Sequence, residues 1–250
     1  YVVIGGWLDS FLDEHKWLVR LLKKFDAIYV ESDMMKSALQ RRGFENAVVM
    51  YNFKELEPLA ESDIEYPKSE PYKLCTFSRV MKEKGIEDAA NAVKSVNAHF
   101  GRTVYTLDIF GQVDAGYKER FSELEKSFPD YISYGGAIEA NKSVETLKSY
   151  FTLLFPTYYK GEGFAGTLID AMSAGVPVIA SDWKYNPEFV VPGKTGVIIK
   201  DCNVERLAEE LINIAAAPEK WNSMRLSSLK ESEKYKPDIA ARPLIDRING

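Results

Sequence analysis

Two carboxylates, Glu162 and Asp170, flank the point where a glycine-broken loop turns into a short apolar helix, in the stretch YKGEGFAGTLIDAMSAGVPVIASDWKYNPE from Tyr159 to Glu188. A helix start reached through glycines offers unpaired backbone N–H groups and the positive end of the helix dipole. Such a terminus suits a phosphate, and the flanking acids suit the hydroxyls of sugar rings. The chemistry implied is a ligand with phosphates in the middle and hydroxylated rings on both sides, a nucleotide sugar. Arg79 and Lys84, in FSRVMKEKG, follow the first strand expected in the same unit. A guanidinium fork and an ammonium there can neutralise a diphosphate.

Each of these residues also has a plainer reading. Asp170 with Thr167 can form a shortened capping box, since an acid in a first helical turn is favoured by the dipole. Arg79 and Lys84, beside Lys82 and Glu83, can belong to an ordinary solvated loop. The turn Thr157-Tyr158-Tyr159 can stack on a ring or pack at the sheet edge. Gly161–Gly166 is a literal G-x-G-x-x-G with Asp182 after the next strand, the pattern of an NAD(P)-dependent oxidoreductase. Against that, Pro156–Lys160 separate the expected strand from the first glycine, and the motif falls late in its unit. His15 and His99 lack ligating neighbours at metal spacing, so no zinc site is expected.

The elements that must position these groups alternate between strand and helix. Strands are expected at Tyr1–Ile4, Ala27–Glu31, Ala47–Tyr51, Lys73–Phe77, Tyr105–Phe110, Tyr131–Tyr134, Leu153–Phe155, Val176–Ala180 and Val197–Ile199. Between them fall helical patterns, including a run around Leu12–Leu22, Asp33–Arg41 started by Ser32 and stopped by Gly43, Gly85–Phe100, Gly166–Ala174, Val204–Ala217 and Glu219–Lys234. Pro58, Pro67 and Pro71 among acidic residues mark a linker. The reading is an α/β chain: residues 1–55 as the end of one Rossmann-like domain, 56–71 as linker, 72–234 as a complete doubly wound parallel-sheet domain, and 235–250 returning toward the N-terminal part. A start inside a strand-like run, without Met, suggests a piece of a longer protein.

The composition is that of a globular protein, and a formal charge of −5 over 250 residues argues against a duplex nucleic-acid binder. The two cysteines, Cys75 and Cys202, form no metal-spaced cluster and suit a reducing compartment. No apolar run is long enough to span a membrane.

Taken together, these residues resemble the donor-binding half of a glycosyltransferase family 4 enzyme of GT-B fold. The family's paired-acid signature stands here as EGFAGTLIDAMSAGVPVIASDWKYNPE, with Asp170 in the second acidic place. Its strand-end basic element appears as Ser78-Arg79 through Lys84-Gly85, and its sheet-end glycine and apolar pair as Gly136 to Ile138. VESDMMKSALQRRGFENAVVMYNF is similar to the end of its acceptor domain. The signature region looks closest to bacterial capsule, O-antigen or exopolysaccharide members. The resemblance implies a retaining enzyme without bound metal or other cofactor, using a UDP- or GDP-type sugar donor and a saccharide or lipid-linked saccharide acceptor. It also implies a cytoplasmic place, at the inner face of the plasma membrane where the acceptor is lipid-linked, with membrane association carried by the rest of the acceptor domain. By the same resemblance Arg79 and Lys84 hold the diphosphate, with Ser78 beside them, and join Glu162 as the catalytic group. Glu162 and the backbone of Gly163 and Phe164 hold the transferred sugar, Gly166 and Thr167 N–H groups bind phosphate, Asp170 takes the ribose, and backbone near Gly136 and Ile138 meets the base. Gly5-Gly6-Trp7 stand where many members carry a cleft histidine, so no catalytic base is named.

Overall fold

The computed structural model describes residues 1–200 and 203–250, which leaves the Cys202 reading outside the described residues. The described residues form eight strands: β1 Ile28–Val30, β2 Ala47–Val49, β3 Tyr72–Phe77, β4 Tyr105–Phe110, β5 Ile132–Gly136, β6 Thr152–Phe155, β7 Val178–Ser181 and β8 Gly196–Ile199. β3 to β8 form one wholly parallel sheet in the order β5-β4-β3-β6-β7-β8. Counted within the sheet this is 3-2-1-4-5-6, the doubly wound order in which ligands sit beyond the carboxyl ends of the strands where the winding reverses. That reversal falls between β3 and β6.

The central strands are apolar on both faces, as a helix-covered parallel sheet requires. All four residues of β6 and of β7 are buried. One face packs the helix Ile86–Phe100 and the helix Val204–Ala216 over Leu74, Leu107, Ile109 and Leu154. The other packs the helix Gly166–Ser173 over Cys75, Leu153, Phe155, Val178 and Ala180. Cys75 is buried there as a free thiol, its pKa pushed up by burial.

The N-terminal unit is smaller. β1 and β2 run parallel, and the helix Asp33–Arg41 between them starts on Ser32, whose hydroxyl accepts from the Met35 N–H at 3.0 Å. Tyr1–Ile4, expected as a strand, contributes only a bridge from Val2 to Tyr29. The expected helical run around Leu12–Leu22 divides into Leu8–Glu14 and Leu18–Leu22, because the backbone leaves the helical region at His15. The expected helix Glu219–Lys234 likewise divides into Pro218–Asn222, Arg225–Ser232 and a short 3₁₀ turn, Glu233–Tyr235. Trp221 and Arg225 are the pins: the Trp221 indole donates to the Phe151 carbonyl at 3.2 Å, and Arg225 donates to the Tyr150 carbonyl at 2.8 Å. A single straight helix is interrupted between them at Ser223–Met224.

The last segment holds the helices Pro237–Ala240 and Arg242–Asn249. The second lies against the N-terminal unit: Arg247 donates to the Asp26 carbonyl at 2.8 Å, the Tyr29 hydroxyl donates to the Pro243 carbonyl at 3.4 Å, and Leu244 packs on Ala27, Tyr29 and Met50.

Candidate functional site

The carboxyl ends of β3 and β4 and the loops after β5 and β6 enclose a cleft of about 440 Å³, lined among others by Lys54, Ser78, Lys84, Ile138, Glu162, Gly166, Thr167 and Asp170. The first βα turn, from Ser78 to Gly85, forms one wall. Gly85 closes it in a left-handed conformation (φ 69°), and a Cβ there would meet the Pro156 carbonyl oxygen at 2.3 Å. Only glycine lets this turn lie so close against the end of β6.

Two ion pairs stand in the cleft, one buried and one partly exposed on its lysine side. Lys84 Nζ lies 2.6 Å from Glu162 Oε2, with both side chains less than a tenth exposed. The Thr157 hydroxyl donates to the same oxygen at 2.7 Å. The Lys84 ammonium also stands 5.3 Å from the Phe155 ring centre and 5.2 Å from that of Tyr159, so its charge is held by a carboxylate and by aromatic faces together. In the second pair, Asp170 Oδ1 accepts from Lys54 Nζ at 2.5 Å and from the Ser143 hydroxyl at 2.7 Å. Burial raises the Asp170 pKa, while Lys54 and Ser143 pull it down. Between the pairs lies the start of the helix Gly166–Ser173. Its N-cap is Ala165, and no side chain caps it. The Thr167 hydroxyl is buried without a partner. Asp170 therefore spends its hydrogen bonds on Lys54 and Ser143 and caps nothing, so the capping reading fails.

The structure brings Ser78, Lys84, Ile138, Glu162, Gly166, Thr167 and Asp170 to one cleft and places the remaining candidates elsewhere. Arg79 is exposed, its guanidinium 5.5 Å from the centre of the Tyr159 ring that also faces Lys84. Gly136 ends β5 with its carbonyl accepting from Gly111 N–H at 2.9 Å, and its neighbours Ala137 and Ile138 face the cleft instead. The expectation that the Phe164 backbone meets the sugar is corrected. The Phe164 N–H donates to Glu31 Oε2 at 3.1 Å, and its carbonyl accepts from Asn52 at 2.9 Å. Gly163 is packed beneath Glu31 and Gly5, where a Cβ would approach the Glu31 carboxylate to 2.3 Å. These two residues face the N-terminal unit.

That junction contains residues the sequence reading passed over. Glu31 Oε2 also accepts from the Gly5 N–H at 3.1 Å, and Gly6 N–H reaches the Gly161 carbonyl at 3.4 Å. A Cβ on Gly6 would stand 2.0 Å from the Glu162 carbonyl oxygen. Gly5-Gly6 thus let the N-terminal unit abut the loop that carries Glu162. Glu188 reaches the other way and caps the helix Asp33–Arg41, accepting from the N–H groups of Asp33 at 2.7 Å and Met34 at 3.0 Å. A signal existed only for Glu188, inside the quoted signature. Glu31 and Lys54 pair with residues more than a hundred positions away.

The dinucleotide reading loses its geometry here. The glycine fingerprint belongs in the first βα turn, which in this sheet is Ser78–Gly85, whereas Gly161–Gly166 follows the fourth strand and Asp182 is absent from the cleft lining. Among the described residues no group of three His, Cys, Asp or Glu side chains is placed to hold a metal ion.

The profile of the family described as Glycosyl transferases group 1 matches residues 60–228. The chain belongs to that family. The GtfA subunit of the UDP-N-acetylglucosamine–peptide N-acetylglucosaminyltransferase of Streptococcus gordonii is 30% identical over 178 residues, 68% of this chain and 34% of that protein. The poly(glycerol-phosphate) alpha-glucosyltransferase of Bacillus subtilis strain 168 is 26% identical over 184 residues, 72% of this chain and 26% of that protein. Among solved structures, Anabaena Alr3699/HepE in complex with UDP superposes with a TM-score of 0.81 at 16% identity, covering all of this chain and 71% of that one. That likeness shows the fold, a Rossmann-like half of a GT-B architecture preceded by the end of a second α/β unit. The chain spans about half or less of the length of the curated relatives it matches.

Proposed function

We propose that this group 1 chain is the donor-binding part of a family 4, retaining, metal-independent glycosyltransferase. It would move a hexosyl-type sugar from a nucleoside diphosphate sugar to a saccharide or lipid-linked saccharide acceptor, in bacterial surface polysaccharide synthesis at the inner face of the plasma membrane. The observation that carries the reading is the linear order of groups in one cleft: the Glu162–Lys84 pair, the uncapped start of Gly166–Ser173, and Asp170, whose hydrogen bonds among the described residues both fall on Oδ1. This order matches sugar, diphosphate and ribose in turn. Glu162 holds sugar hydroxyls, while Lys84 and the Gly166 and Thr167 N–H groups take the charge that builds on the departing nucleoside diphosphate. Arg79 joins from the rim with Ser78 beside it, Asp170 accepts from the ribose diol, and main chain at Ala137–Ile138 meets the base. The relatives agree with a sugar nucleotide: one is named for UDP-N-acetylglucosamine, another for transfer of glucose to poly(glycerol phosphate), and the Anabaena protein holds UDP.

Calorimetric titration of UDP, GDP, their sugar conjugates and NAD tests the reading. Glu162→Gln is expected to spare the bare nucleoside diphosphate and weaken the sugar nucleotide. Asp170→Asn weakens both alike, each by about 1.5–3 kcal/mol for a lost hydrogen bond to a charged group. Equal loss of both ligands in Glu162→Gln removes that residue from the sugar, and binding of NAD alone removes the reading altogether.

A further inference from the structure

The cleft must bind a diphosphate although it carries two carboxylates, and one of the cations that balance them comes from outside the sheet domain. Lys54 follows β2 in the segment joining the two units. Its ammonium meets Asp170 Oδ1 at 2.5 Å, about a quarter of its side chain remains exposed, and it lines the cleft. Its path is the telling feature. A Cβ built on Gly166 would lie 3.5 Å from Lys54 Cδ, so the lysine stem runs across the first residue of the uncapped helix. The ammonium is therefore carried past the place where backbone N–H groups await an anion, and it stops at the acid beyond. Lys84, by contrast, is enclosed between Glu162, Phe155 and Tyr159, and Arg79 is exposed on the Tyr159 ring.

We propose that Lys54 is a phosphate-binding residue of the donor site, supplied by the joining segment, which rests on Asp170 in this structure and shares its charge with a bound diphosphate. Both arrangements lie within reach of one flexible four-carbon stem. While Lys54 neutralises Asp170, the anionic ligand meets no net negative charge from the pair as it enters. The proposal rests on the donor-site reading above. It adds that the joining segment, and with it the N-terminal unit, takes part in holding the nucleotide.

The test is a double-mutant cycle read by calorimetry against UDP, GDP and the matching nucleoside, uridine or guanosine. Lys54→Met in the full chain is expected to lower nucleoside diphosphate affinity about tenfold to a hundredfold, the range for one charge-assisted bond, and to leave the affinity of the nucleoside, which lacks phosphate, unchanged. Lys54→Arg keeps most of the affinity. A lysine that acts only by placing Asp170 predicts otherwise: its removal would weaken nucleoside and diphosphate equally, and would do nothing once Asp170 is Asn. The deciding comparison is thus Lys54→Met made in an Asp170→Asn background, which also removes the danger of leaving a buried carboxylate unpaired. A further loss of diphosphate affinity there, with none for the nucleoside, supports the assignment. No further loss overturns it while leaving the donor site standing. A parent chain that binds neither UDP nor GDP overturns the donor reading and this assignment with it.

Discussion

Glu31 shows how much one side chain can decide at the junction of the two units. It is buried, and a single carboxylate oxygen accepts from Gly5 on one side and Phe164 on the other. Glu31→Ala would leave two N–H groups without a partner, a cost of about 1–3 kcal/mol for each that stays dry. It should also loosen the loop that carries Glu162, seen as a lowered melting temperature and faster amide exchange at Gly163 and Phe164. Glu31→Gln keeps an oxygen for both bonds and should retain most of that order. Burial raises the Glu31 pKa, against the pull of the two N–H groups. The sign follows: the folded state holds this proton more tightly than the unfolded one, so the contribution of Glu31 to stability falls as pH rises from about the ordinary glutamate value through the raised one. Stability measured against pH in the parent minus that in Glu31→Gln should therefore decline across that window, and a flat or rising difference would contradict the burial argument. Residues of this kind were hidden in the sequence. Glu162 and Asp170 could be found because glycines and an apolar helix beside them mark a local device. Glu31 and Lys54 look like any charged residue until the fold brings their partners near.

At the scale of elements, what could be read from the sequence was whatever is decided locally. Ser32 with Asp33 and Gly43 marks both ends of one helix, and the structure keeps both, so Ser32→Ala should cost about 1 kcal/mol in chemical denaturation. The strands β3, β4, β6 and β7 were visible as apolar runs because helices cover them on both faces. The division of Pro218–Ser232 was not visible, since its cause is distant. Arg225 is fully buried and donates to the carbonyls of Tyr150 and Lys148, just beyond the helix Ser143–Leu147, where the helix dipole favours a cation. Burial lowers its pKa to about 10, which measures how poorly the charge is solvated. Arg225→Met should nevertheless destabilise the protein by about 2–4 kcal/mol, because a buried and a partly buried carbonyl lose their donor. Arg225→Lys should recover only part of it, since one ammonium cannot reproduce the planar fork that spans both acceptors. Equal stability of the parent and Arg225→Met would show that water replaces the guanidinium there.

The whole molecule is tied together around one aromatic cluster and closed by its last helix. Phe164 of the Glu162 loop stacks on Phe189 with ring centres 3.6 Å apart, Tyr235 meets Phe164 edge-on, and Tyr51, two residues after β2, lies edge-on to all three. The Glu162 loop is thereby fixed to the N-terminal unit through packing as well as through Glu31 and Glu188. The helix Arg242–Asn249 has no buried residue of its own and acts as a cover, with Leu244 over Ala27, Tyr29 and Met50 and Arg247 on the Asp26 carbonyl. Removing residues 242–250 should uncover that small apolar group and cost about 1–3 kcal/mol, the scale of one partly buried leucine and one or two hydrogen bonds. The cost belongs to the N-terminal unit, because none of the removed residues lines the cleft. Amide exchange should therefore quicken in β1 and β2 and stay unchanged in β3, β6 and β7. Nucleoside diphosphate affinity should hold, since Lys84, Glu162, Gly166 and Asp170 keep their partners. Faster exchange in β6 or β7, or a loss of nucleotide binding equal to that of Asp170→Asn, would mean that the last helix supports the cleft itself. An unchanged β1 would mean that the β1–β2 pair and the packing of Asp33–Arg41 hold the N-terminal unit without it.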